Sequence, residues 1–344
     1  MSATSSLARV DDLLRSRNSV HHAVVLLESA DGSRRHTATT GRANLDGRFI
    51  TASISKLFVH AITYALVDRG ILELDQPAAQ WLGADTLRGV HVISGRDYGD
   101  EITLRHLVTH TSGLPNLETA GVNGAPSLEQ QVLRRDREVP LSEVLDLHRH
   151  VAAKFPPGAG RRAQYSDTNA DLLALILERT TDTPYEQLIR DYVLEPLGLG
   201  RTGLVHTNTT DTAPVFRRRR PVTFHRYISS QRGSGGIAAS ASDLMKFLRA
   251  FTEGELYSPE HLSNPDWRRT QYGPLQYGPG VMRLQLPRLM SPFLPAPEII
   301  GHSGSTGSFA FYCPPYATYI VGTVNQMSGI PFEYVYRYLN AFAR

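Results

Sequence analysis

Strand-like segments at both ends of the chain, separated by a mostly helical middle, restrict the fold more than any other feature. Val24 to Glu28 and roughly Arg35 to Thr40 read as a hairpin around Asp31-Gly32. Segments near 298–301, 307–313 and 317–325 are rich in Ile, Val, Phe and Tyr, and a closing helix over about 331–343 carries Phe332, Val335, Leu339 and Phe342. Between them, 102–110, 127–135, 141–151, 168–180, 184–194 and 241–252 have helical patterns joined by Pro- and Gly-rich connections. Strands from opposite ends of a chain bury their faces most economically in one sheet. The expected class is therefore α/β (α+β): an antiparallel sheet built from both termini and flanked by helices, with an inserted, mainly helical lobe. The expected division is 1–80 plus 286–344 for the sheet domain and 81–285 for the lobe, with the active site in the cleft between them.

The chain has 344 residues, 41% of them hydrophobic, enough for a large core. No apolar run reaches the roughly 20 residues that span a bilayer, so no membrane partner is expected. Met1 to Asp12 lacks a basic segment followed by an apolar stretch, so no signal peptide is read and a cytoplasmic location is expected. Cys313 is the only cysteine, which excludes an intramolecular disulfide and a Cys-based metal site. The net charge of +3 is too small to argue for nucleic acid. The 36 basic residues include only three lysines: Lys56, Lys154 and Lys246. Arginine stays protonated and is a poor proton acceptor, so a lysine base has few candidates here.

One of them stands beside a serine. Ser53-Ile54-Ser55-Lys56 places Ser53 and Lys56 on one face at the start of an apolar helix, Ser53 to Arg69. At a helix start the serine hydroxyl lies near free backbone N–H groups, and a desolvated lysine can act as its base. The alternative is an N-cap serine ahead of an ordinary helix.

Thr51 to Leu57, TASISKL, resembles the nucleophile motif of the serine β-lactamase and penicillin-binding-protein superfamily, in particular its class C β-lactamase, DD-peptidase and esterase branch. Leu104 to Pro115 (LRHLVTHTSGLP), Phe155 to Asn169 (FPPGAGRRAQYSDTN), Pro196 to Leu199 (PLGL), Gly235 to Asp243 (GGIAASASD) and Gly301 to Gly307 (GHSGSTG) follow in the family's order over roughly 35–325. The resemblance implies a β-lactamase/transpeptidase-like fold and a cofactor-independent serine hydrolase without a metal. Ser53 would be the nucleophile, Lys56 and Tyr165 would handle its proton, and the N–H groups of Ser53 and Ser305 would form the oxyanion hole. A cationic Lys56 beside Tyr165 would favour the phenolate. Asp167, His302, Ser303 and Gly304 would contact substrate.

Two positions depart from the commoner family pattern. Asp167 stands where Asn is usual; a carboxylate there should hold Lys56 protonated and shift the base role toward Tyr165. His302 stands where many relatives have lysine, so a permanent charge facing a substrate carboxylate is missing. Both changes point away from β-lactams and toward a small ester or amide, with esterase activity favoured. Alternatives are an acyltransferase, a DD-peptidase or D-aminopeptidase, a β-lactamase, or a non-catalytic penicillin-binding-like module. Oligomeric state is not legible.

Other signals are weaker. His106 and His110 have the spacing of a zinc pair but lack the Glu of His-Glu-x-x-His, so a structural role is expected. His148 with His150, and His21 with His22, lack a third ligand. Arg217 to Arg220 reads as a solvated loop, with contact to an anionic substrate or carrier as the alternative. Gly233 to Gly236 is expected on the cleft rim, and Trp267, Tyr272 and Tyr277 mainly in the core.

Overall fold

The computed structural model describes residues 3–17, 20–327, 329 and 331–344. Val24–Ser29 (β1) and Arg35–Thr39 (β2) form the expected hairpin, with Leu27 opposite His36. Arg268–Arg269 (β3), Gln276–Tyr277 (β4), Met282–Leu284 (β5), Ile299–Ser303 (β6), Ser308–Cys313 (β7) and Thr318–Thr323 (β8) complete an eight-stranded antiparallel sheet, in the order β3-β4-β5-β6-β7-β8-β1-β2. The two chain ends meet where Val24 pairs with Thr323 and Leu26 with Val321. The sheet does not begin after residue 285: β3 to β5 lie within the range expected to be the helical lobe.

Side-chain alternation explains why β1 is apolar on both faces. Val24 and Leu26 join a core with Phe58, Phe247 and Val321, whereas Val25 and Leu27 join another with Leu14, Phe309, Ile320 and Leu339. Helices therefore cover both faces, as a continuous apolar strand requires. Ala3–Ser16 (α1) and Phe332–Phe342 (α5) supply the second core. Ser55–Asp68 (α2), Asp167–Thr181 (α3) and Ala241–Glu253 (α4) supply the first.

Every residue of α2 from Ser55 to Leu66 is buried, which suits a helix with a single charged residue in that span. Gly70, at φ +69°, ends it by donating its N–H to Val67 O. A second, three-stranded sheet places Ile237–Ala239 between Phe49–Ile50 and Thr202–Leu204. It delivers the chain to the turn preceding α2. Among the described residues no helix is long and apolar enough to cross a membrane.

Candidate active site

The Ser53 turn is set by the backbone around it. Thr51 donates its N–H and its hydroxyl to Ile237 O at 3.0 and 2.7 Å, and Ser55 Oγ accepts from Ile237 N at 3.0 Å. Ala52 sits at φ +48°, a left-handed conformation that costs energy in a non-glycine residue. The segment from Gly301 to Ser308 holds this turn from the other side. Thr306 and Ser308 donate their hydroxyls to Ile50 O and Thr51 O at 2.8 and 2.7 Å. Gly304 makes the approach feasible: a Cβ there would lie 2.4 Å from Thr51 O and 3.0 Å from Ala52 Cβ.

Ser53 lines a cavity of about 270 Å³ together with Tyr165, Asp167, Ser303, Gly304 and Ser305. Residues 53, 165 and 303–305, far apart in sequence, thus converge. Lys56 lies beneath them and is wholly buried. Its ammonium donates to Asp167 Oδ1 at 2.5 Å and to Ser234 O at 2.8 Å, and stands 5.1 Å from the centre of the Tyr165 ring. Asp167 opens α3, where a carboxylate is also favoured by the helix dipole. The ion pair expected from Asp167 is present.

Tyr165 differs from expectation in its electrostatics. Burial and the Asp167 carboxylate push its phenol well above the ordinary range, and the hydrogen bond from Ser53 opposes this only in part. The cation of Lys56 does not favour the phenolate because Asp167 has already taken it up. Ser53 and Tyr165 nevertheless line the same cavity.

His302 does not reach the cavity. It was expected to contact substrate, but it is fully buried, its Nδ1 lies 2.8 Å from Ser303 O, and it packs 5.9 Å from the Tyr165 ring, behind the cavity wall. Alternation along β6 is the reason: Ser303 faces the cavity, so its neighbour faces inward. His302, His60 and His110 surround Lys56 and Tyr165 as neutral imidazoles, each held below its ordinary pKa chiefly by burial.

The HLVTH histidines have separate structural tasks. His106 accepts the N–H of Thr103 in a capping box at the start of Leu104–Val108. His110 stacks on Tyr165 at 4.6 Å, and its Nδ1 accepts the N–H of Ser166 at 3.1 Å. Gln271 clamps the Tyr165 backbone, accepting from its N–H at 2.9 Å and donating to its carbonyl at 2.8 Å. Among the described residues no three His, Cys, Asp or Glu side chains group into a metal site.

Several cavity residues carried no sequence signal. Asn116 donates to Tyr272 Oη at 3.0 Å, and Glu118 accepts from the Tyr227 hydroxyl. Gln231 also reaches the wall, as do Ser234 of the glycine run and Phe332 of the closing helix, which the sequence had marked. Tyr277 is buried as expected, but Tyr272 is exposed on the cavity wall. The glycine run is not merely rim, because the Ser234 carbonyl holds Lys56.

The Beta-lactamase family model matches residues 11–343. The chain is 28% identical over 222 residues to the D-alanyl-D-alanine-carboxypeptidase/endopeptidase AmpH of Escherichia coli, covering 63% of this chain and 52% of that protein. It therefore spans about half the length of that relative. Esterase EstB of Burkholderia gladioli is 29% identical over 313 residues, covering 79% of this chain and 76% of the esterase. Among solved structures, the D-amino acid amidase of Ochrobactrum anthropi complexed with D-phenylalanine superposes with a TM-score of 0.77 at 19% identity, covering 98% of both chains. That likeness establishes the fold.

Proposed function

This chain belongs to the Beta-lactamase family, a serine hydrolase family with esterase, amidase and DD-peptidase members, and on that premise we propose that it cleaves a small ester or amide through an acyl-enzyme on Ser53. The observation that carries this reading is the convergence of Ser53, Tyr165 and Asp167 on one cavity, above a buried Lys56–Asp167 pair. Ser53 Oγ bonds to the substrate carbonyl carbon as its proton passes to ionised Tyr165. The carbonyl oxygen becomes an oxyanion held by the N–H groups of Ser53 and Ser305, the usual device in acyl transfer. Collapse breaks the bond to the leaving group, which receives the proton from Tyr165. Water then repeats the sequence and releases the acid.

Esterase activity is favoured first, because an ester's leaving group needs less proton assistance than an amide's and Tyr165 resists ionisation. Fluorophosphonate labelling and p-nitrophenyl acetate turnover test the reading. Wild type should react and Ser53→Ala should not; equal behaviour of the two proteins would overturn it.

A further inference from the structure

The arginine run, Arg217 to Arg220, takes no part in the serine site. Val215–Arg217 and Arg220–Val222 pair as an antiparallel hairpin, with Arg218 and Arg219 as its turn. All four arginines are exposed, and none has a salt-bridge partner among the described residues. This arrangement costs stability. Arg217 lies directly opposite Arg220, a like-charged cross-strand pair. Arg218 adopts φ +60°, a left-handed value for which short hairpin turns favour glycine or asparagine. Yet the hairpin is held firmly to the body. Phe216 donates its N–H to Asn325 O at 2.8 Å and accepts from Met327 N–H at 2.7 Å, and Gln326 Nε2 donates to Arg218 O at 3.0 Å. Val215 is buried at its base, and the Phe216 ring packs 4.6 Å from His21 and 5.9 Å from His22. The four charges are thus fixed together instead of being spread by a loose loop.

Another cavity opens at the foot of this hairpin. Its volume is about 350 Å³, and it shares no lining residue with the cavity of Ser53. Pro214, next to Val215, lines it, as do Asn325 and His22, which hold Phe216. Its ionisable lining residues are His22, Arg42, Arg48 and Asp211. Arg48 and Asp211 neutralise one another through contacts of 2.9 and 3.0 Å. Arg42 is exposed and has no salt-bridge partner among the described residues. Burial, with the charges of His21 and Arg42, holds the His22 imidazole below its ordinary pKa, so the cavity's surroundings are positive.

We propose that this cavity and the arginine hairpin form one binding site for a small ligand carrying several phosphate groups, separate from the serine site. A guanidinium grips phosphate through two parallel hydrogen bonds. Arg42 and the hairpin arginines are all available for such bonds, and a single carboxylate or phosphate would leave most of them uncompensated. The cavity has the size of a small-molecule site, so one end of the ligand enters it while the phosphates lie along the hairpin.

Titration calorimetry of the whole chain with sodium tripolyphosphate at physiological salt tests the site. Wild type should bind it in the micromolar range. Arg42→Gln, in the cavity, and Arg217→Gln, on the hairpin, should each weaken binding by about tenfold or more, the worth of a charge-assisted hydrogen bond. Arg217→Gln should also raise the urea midpoint, since it relieves the pair with Arg220; a variant that had merely lost its fold would lower it. Ser53→Ala should bind as wild type does, so the outcome does not depend on catalysis. Absence of tripolyphosphate binding, equal affinity for citrate, loss of binding in Ser53→Ala, or undiminished binding in both arginine variants would overturn the proposal. Far tighter binding of oligothymidylate or long-chain polyphosphate, indifferent to Arg42→Gln, would identify a general polyanion surface and overturn it as well.

Discussion

Replacing Asp167 by Asn should raise activity near neutral pH while lowering stability. Tyr165 resists ionisation because burial and the Asp167 charge oppose the phenolate, while Asp167 neutralises the nearby cation of Lys56. The amide removes that anion and uncovers an ammonium 5.1 Å from the phenol ring. At an effective dielectric of about 20 their attraction is about 3 kcal/mol. The alkaline limb of the kcat/KM profile should therefore move down by about two pH units. At pH 7, on the rising limb, this is a gain of up to about a hundredfold. The fold loses the partner of a buried lysine, at a cost of about 3 kcal/mol, although the Ser234 carbonyl still accepts from Lys56. The assay is turnover of an uncharged p-nitrophenyl ester from pH 5.5 to 10.5, with urea unfolding of both proteins. An alkaline limb that stays in place or moves upward in a folded variant would refute the claim that Asp167 restrains Tyr165.

Further outcomes follow from packing and from buried ionisation. Lys56→Arg should abolish turnover, because the guanidinium has no room in a fully buried site whose acceptors, Asp167 and Ser234 O, are set for an ammonium; p-nitrophenyl acetate hydrolysis and circular dichroism separate this from unfolding. Gly304→Ala should cut kcat by roughly a hundredfold or more, since its methyl would lie 2.4 Å from Thr51 O and push the Ser305 turn off the nucleophile. Acid should destabilise the fold. Below about pH 6.5 the unfolded chain protonates His60, His110, His148 and His302, which burial holds neutral in the native state. Glu118 and Asp171, raised to about 8 and about 6, act in the opposite sense, because the native state keeps their protons. His22, His91 and His106, also lowered by burial, add to the first group, so near pH 5 unfolding should take up at least about two protons and stability should fall by at least about 3 kcal/mol per pH unit of acidification; urea midpoints from pH 7 to 5 measure it.

Local signals carried the terminal strands, most of the helices and the neighbourhood of Ser53, but not β3 to β5. Val24 to Leu27 and the Asp31-Gly32 turn sufficed for the first hairpin, and the expected helix start at Ser53 fell two residues early, because Ser53 lies in the tight turn Ala52–Ile54 ahead of α2. Contacts between distant segments were a different matter. Lys56 and Ser234 are 178 positions apart, and a backbone carbonyl leaves no mark on composition. Glu118 and Asn116 lie in a loop without periodicity, so nothing in the sequence distinguishes them from solvated polar residues. The inward turn of His302 depends on the register of β6 against Ser308–Cys313, which sets the parity of the whole strand. The electrostatics of Tyr165 depend on how tightly Asp167 closes on Lys56, a distance that residue identity alone does not give.

The central claim is an acyl-enzyme on Ser53, and intact-mass spectrometry tests it most directly. Incubation with a panel of esters, D-amino acid amides and β-lactams, quenched in acid, should give wild-type protein bearing one acyl group, mapped by peptide sequencing to Ser53, and unmodified Ser53→Ala. An adduct on another residue, or undiminished turnover by Ser53→Ala, would contradict the account.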